Sequence, residues 1–186
     1  DELLKQGLIY ESAGHHSCIF LGFDSDQTPR YAAFRACSEE KILGEASGSD
    51  KSYPFRIDAG SSTLHIFESA IDLLSYATIR KLNGQQWHDE RLLSMGGIGV
   101  SRNGDVPVSL ILHLEEHSEI KEIHIHFDRD GPGRDAAQAL AATLEGRFGI
   151  RDEPPPTGKD YNDHLMNIIR KRDNAARFAN RNNQER

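Results

Sequence analysis

The stretch Lys121-Glu-Ile-His-Ile-His-Phe-Asp-Arg-Asp-Gly-Pro-Gly-Arg-Asp-Ala-Ala137 decides how the rest of the chain is read. Ile123, Ile125 and Phe127 alternate with Glu122, His124 and His126, the two-residue period of a strand built from β-branched and aromatic side chains. Two acids follow where the extended run stops. Asp128 and Asp130 are one residue apart, so an extended backbone points both side chains the same way. Gly131-Pro132-Gly133 then turns the chain, and the proline suits the first turn of the Ala-rich helix that follows, expected over roughly 133 to 147. A strand that delivers two carboxylates beside a helix amino-terminus is a site for a metal and a phosphate.

Working outward, the same alternation of strand and helix recurs upstream. Thr63 to Phe67 reads as a strand, Glu68 to Leu82 as a helix with Ile71, Leu74, Ala77 or Thr78, and Leu82 inward, and Arg91 to Met95 as a second strand before Gly96-Gly97-Ile98-Gly99. Pro107 to Ser118 is a helix carrying Leu110, Ile111 and Leu114 inward. Ile150 begins a fourth strand, Pro154-Pro-Pro-Thr-Gly158 breaks regular structure, and Asn162 or Asp163 caps a last helix to about Arg172. This order predicts an α/β fold with a mostly parallel four-stranded sheet and helices on both faces.

Residues 1 to 60 have another character. A short helix over the first residues is followed by apolar runs at Cys18 to Phe23 and Arg30 to Cys37, and Asp24 to Pro29 between them is turn chemistry, which makes a β-hairpin. Residues 39 to 54 are loop with at most a short strand. The expected organisation is a small β-rich subdomain over 1 to 60, an α/β domain over 61 to 172, and a polar basic tail over 173 to 186 that frays.

Composition narrows the classes. Hydrophobic residues make up 37% and charged residues 27% of 186, and no run approaches the ~18 apolar residues of a membrane span. Cys18 and Cys37 have no metal-binding spacing and read as reduced thiols, so the expected compartment is the cytoplasm. The net charge of −7 is uneven: residues 170 to 186 hold six Lys or Arg against two acids, leaving −11 on the first 169. Opening on Asp1 rather than Met, the sequence is expected to be a piece of a longer protein.

In a parallel sheet all carboxyl ends lie on one edge, so Glu68, directly after a strand, is predicted to converge with Asp128 and Asp130. Asp72 lies one helical turn beyond Glu68. Acids so placed repel one another unless a divalent cation neutralises them, and hard oxygen ligands without a Cys or His cluster select Mg²⁺, with Mn²⁺ as an alternative. The bland readings are a helix-dipole carboxylate at Glu68 and a surface Asp-x-Asp turn. His124 and His126 read as hydrogen-bonded structural histidines, and His15-His16 as a loop pair.

Phe67-Glu68-Ser-Ala-Ile-Asp72, then Ser94-Met-Gly-Gly97, then Phe127-Asp128-Arg-Asp130-Gly-Pro-Gly-Arg134 resemble, in order and spacing, the motifs of the Toprim domain of bacterial DnaG-type primases, topoisomerases and some nucleases. Gly158-Lys159-Asp160-Tyr161-Asn162-Asp163 resembles a Lys-Asp signature of the primase-like branch. Arg35 and Gly48 to Phe55 resemble the small domain preceding Toprim in primase-like proteins of plasmids and conjugative elements. The resemblance implies Mg²⁺-dependent phosphoryl transfer on nucleic acid. It assigns Glu68 as general acid or base, Glu68, Asp72, Asp128 and Asp130 as the acids around the metal, and Lys159 and Arg134 as phosphate contacts. It also implies single-stranded DNA and nucleoside triphosphates as partners, and further domains in a parent protein. Ser69 departs from the family's glycine after the catalytic glutamate, and no zinc-binding or helicase-binding segment is matched. The residues leave open a nuclease of the same fold, a non-catalytic binding module, and a haloacid-dehalogenase phosphatase. The last is disfavoured because only 56 residues follow Asp130.

Overall fold

The computed structural model describes residues 2–38, 42–97 and 106–184, so Ile98 and Gly99 of the glycine stretch fall outside it. The elements run α1 Glu2–Lys5, β1 Ile9–Glu11, β2 Ser17–Phe23, β3 Pro29–Ala36, β4 Leu43–Glu45, β5 Arg56–Ile57, β6 Thr63–Phe67, α2 Ala70–Leu82, β7 Arg91–Ser94, α3 Val108–Glu116, β8 Glu122–Ile125, α4 Gly131–Leu144, β9 Gly149–Asp152 and α5 Tyr161–Gln184.

Two sheets result. The first is antiparallel, in the order β1-β2-β3-β4, with the expected hairpin at its centre. The second has five strands, in the order β5-β7-β6-β8-β9. The four strands read from the sequence are parallel, and the fifth, β5, joins one edge antiparallel to β7. The expected four-stranded sheet is therefore a mixed five-stranded one. Arg56-Ile57 is too short to show a period, and it lies within the span read as the N-terminal subdomain.

Side chains from alternate strand positions build a core on each face of this sheet. Leu64, Ile66, Leu93, Ile123, Ile125 and Phe127 pack with Leu110 of α3 and with Ala136, Ala137, Leu140 and Leu144 of α4. On the other face Phe67 and Leu92 pack with Ala70, Leu73 and Ala77 of α2 and with Tyr161 of α5. Phe20 of the first sheet and Phe55 belong to this second cluster, with ring centroids 5.6 Å apart at 70°.

Several helix readings shift. α2 starts at Ala70, because Ser69 adopts extended backbone and caps it, accepting from the Asp72 N–H at 3.2 Å. Its fully buried residue is Leu73, Ile71 and Leu74 pack only partly, and Leu82 is exposed. Ile111 of α3 is also exposed, and His113 lies inward in its place. Gly131 to Leu144 is capped by Asp130, which accepts from the Gly133 N–H at 3.0 Å. α5 begins at Tyr161, the Asp163 N–H donates to Asp160 Oδ1 at 2.7 Å, and the helix continues unbroken to Gln184.

Candidate active site

Parallel pairing of β6 and β8 brings the residues after Phe67 and after Ile125 to one edge. There Glu68 Oε1 accepts the backbone N–H of Asp128 at 2.9 Å, which ties the two strand ends together. Burial pushes the Glu68 carboxyl up to about 7, and the charges of Asp128, Asp130 and Asp72 add to the rise, against the Asp128 N–H bond. Asp72, buried in the first turn of α2, is held by the Ser69 hydroxyl at 2.5 Å and by the Asn162 N–H at 3.3 Å. Burial raises it to about 6, with Asp160 and Asp128 also repelling its charge.

Lys159 completes the group. Its Nζ lies 3.3 Å from Asp128 Oδ2 and 3.1 Å from Asp130 Oδ2. The two aspartates respond differently. Burial raises Asp128 despite Lys159, whereas the less buried Asp130 is lowered by the Gly133 N–H and by Lys159. Lys159 itself is raised by Asp130 and Asp128. Its loop is fixed from both sides: the Arg129 N–H donates to Lys159 O at 2.8 Å, and the Lys159 N–H donates to Asp163 Oδ2 at 3.2 Å.

Arg134, expected as a phosphate contact, has its guanidinium partnered within the chain. Its guanidinium donates to Asp128 O at 2.8 Å, to Phe127 O at 2.7 Å and to Asp152 at 2.7 and 2.8 Å. It thus braces the end of β8 against β9.

Sequence reasoning left out three contributors. Gly133 is one, because a Cβ there would meet Asp128 O at 2.5 Å and Glu68 Oε1 at 2.8 Å. The Gly-Pro-Gly turn was its signal. Gly97 is the second, donating its N–H to Glu68 O at 2.9 Å with φ +89. The third is Tyr31 of β3, whose hydroxyl donates to Glu45 and would lie 2.9 Å from a Cβ on Gly96. It lines a cleft with Phe34 and Arg35 on one side and Ser69, Ser94 and Gly96 on the other. Nothing in the sequence places Tyr31 there.

Behind the site, on the α2 and α5 face, His126 is 2% exposed and fully partnered. Its Nε2 faces His65 Nδ1 at 2.9 Å, and its Nδ1 lies 2.9 Å from the Tyr161 hydroxyl and 3.1 Å from Glu153 O. Among the described residues, two groups bring three ligating atoms within 4.8 Å of one another: His65, His124 and His126, and Asp58, His113 and His117. The edge acids are not among them.

Similar proteins fit this architecture. No curated protein matches the chain in sequence. Among solved structures, the primase fragment of the bacteriophage T7 primase-helicase protein superposes with a TM-score of 0.63 at 18% identity, covering 89% of this chain and 64% of that one. A DNA primase domain from Pseudomonas aeruginosa gives 0.53 at 16%, covering 91% and 56%. A DnaG primase catalytic domain bound to single-stranded DNA gives 0.54 at 17%, covering 98% and 57%. The chain therefore spans less than two thirds of each of these structures. The Toprim-like family model matches residues 65–165, from the middle of β6 to the start of α5. That match takes in more than half of the chain, including Glu68, Asp128, Asp130 and Lys159, and on it the chain belongs to the Toprim-like family.

Proposed function

We propose that this chain is the catalytic Toprim module of a primase-like protein, joining nucleotides on a single-stranded DNA template by phosphoryl transfer. The observation that carries the reading is the bond from the Asp128 N–H to Glu68 Oε1, which makes one site from the acids of two separate βα units.

A divalent cation fits this edge. Two carboxylates share the ammonium of Lys159, and Glu68, Asp128 and Asp130 repel one another, which a bound cation would relieve. Asp128 and Asp130 would hold the ion with Glu68, and Asp72 stands behind them through Ser69. Oxygen-only donors favour Mg²⁺, with Mn²⁺ the substitute. When bound, the ion supplies charge stabilisation to a transferring phosphoryl group.

The chain's own residues do the rest. Glu68, half-protonated near neutral pH, can accept the proton of an attacking hydroxyl. Lys159, whose side chain is half exposed, can turn its ammonium from the carboxylates to a phosphate, while Arg134 keeps the Asp128 backbone in place. Nucleic acid enters through the cleft between Tyr31 and Ser69. Because the chain spans only part of its structural neighbours, further domains of a parent protein, of the kind found in mobile elements, would supply template choice.

The test is primer synthesis from nucleoside triphosphates on single-stranded DNA with Mg²⁺. Asp128→Asn is expected to lower it by at least about 100-fold without unfolding the protein. Synthesis unaffected by Asp128→Asn would sink the site assignment. Strand cutting without triphosphates, lost in the same variant, would assign the acids to a nuclease.

A further inference from the structure

The edge of the second sheet opposite Glu68 carries a separate cluster. Arg91 opens β7 there, and Asp58 follows β5 beside it. His113 and His117 lie one turn apart at the end of α3, with ring centroids 4.5 Å apart. We propose that Asp58, His113 and His117 bind a divalent transition-metal ion of the zinc type.

Three observations carry this. First, one ligating atom from each residue lies within 4.8 Å of the others, and a His-x-x-x-His pair on one helical face with a carboxylate is a three-ligand set that leaves a position for water. Second, His113 is 2% exposed, and neither of its ring nitrogens has a hydrogen-bond partner among the described residues. A buried imidazole left so is uncommon and requires a cause. Whichever ring nitrogen lacks the proton therefore offers a lone pair that no described residue engages.

Third, the surrounding groups hold the ligands as outer partners do in metal sites. Arg91 Nε takes Asp58 Oδ1 at 2.6 Å, so Oδ2 is turned to His117 Nε2 at 2.8 Å. Glu119 Oε1, itself held by Arg91 Nη2 at 2.6 Å, lies 3.4 Å from His117 Nδ1. A carboxylate on the far nitrogen of a histidine fixes its ring orientation and raises its basicity. The charge of Arg91 is matched by Asp58 and Glu119. Imidazole ligands select zinc-like ions over Mg²⁺, so the site differs in chemistry from the acidic edge. The histidines behind that edge are a weaker candidate, because both nitrogens of His126 already have partners.

The experiment uses the full chain carrying Glu68→Gln and Asp128→Asn, so that its result does not depend on the catalytic reading. After chelator treatment the protein is titrated with Co²⁺, with d–d absorption as the signal, and then with competing Zn²⁺. One equivalent is expected to bind. His117→Ala should weaken binding at least about 100-fold, and Glu119→Gln about 10-fold. His117 is partly exposed, and circular dichroism checks that the variant folds; if it does not, Asp58→Asn is read instead, with the same loss expected. Absence of the Co²⁺ band, binding undiminished in the folded variant, or binding lost in His124→Ala but not in His117→Ala would each overturn the proposal.

Discussion

Burial sets the charge state of His65 and His126. Both are pushed below the ordinary imidazole value by desolvation, His65 to about 3, with neighbouring histidines adding to the shift. The unfolded chain takes up protons below about pH 6.5, where these folded side chains refuse them. Stability is therefore full above that pH and falls as pH drops from ~6.5 toward ~3, by up to about 1.4 kcal/mol per pH unit for each histidine. Urea unfolding at a series of pH values should show the contribution of these histidines, and His65→Leu should make the slope shallower by up to about 1.4 kcal/mol per pH unit. A slope unchanged in the variant would show that His65 does not set it. At this scale the sequence was partly legible. Glu68, Asp128 and Asp130 could be found because each follows a strand or punctuates a turn. The partners of Arg134 could not, because they are the carbonyls of Phe127 and Asp128 and the carboxylate of Asp152, brought near by a strand pairing that no local pattern encodes.

Among the elements, α2 binds the site to the core. Ser69 caps it and holds Asp72, so Ser69→Ala should lower stability by at least about 1 kcal/mol in denaturant unfolding, and Ser69→Gly, which also loses the Asp72 bond but suits the cap backbone, should lower it by less. Equal losses from the two would argue against the cap. At the start of α4, Gly133 leaves no room for a side chain. Gly133→Ala should push the helix away from Asp128 and Glu68, reducing stability by about 1–3 kcal/mol and nucleotide joining by more than Ser69→Gly does. Wild-type unfolding and joining in Gly133→Ala would refute the close approach. Helices were legible in number and order and only partly in facing: Leu110 and Leu114 pack inward as read, whereas Leu82 and Ile111 do not. Leu73-Leu74 and Leu110-Ile111 are adjacent apolar pairs, so the 3.6-residue period fits either member, and only the position of the sheet decides that Leu73 and Leu110 go in. Strand β5 was invisible because two residues carry no period.

Over the whole molecule, the second core is shared between the sheets. Phe55, fully buried, stands between Phe20 of the antiparallel sheet and Leu92 of the mixed one. Phe55→Ala should remove about 3–5 kcal/mol, and thermal unfolding followed by circular dichroism and by Trp87 fluorescence should shift together as one transition. Two separated transitions in the wild type would show that the sheets fold independently. The backbones also touch: a Cβ on Gly22 would lie 1.7 Å from Tyr53 O, so β2 runs against the segment that leads into β5. The two sheets therefore meet through both side chains, at Phe20 and Phe55, and backbone, at Gly22 and Tyr53. The cleft between Tyr31 and Ser69 lies where those sheets meet, so it is expected to behave as a gauge of set width rather than a jaw, sorting what enters by fit.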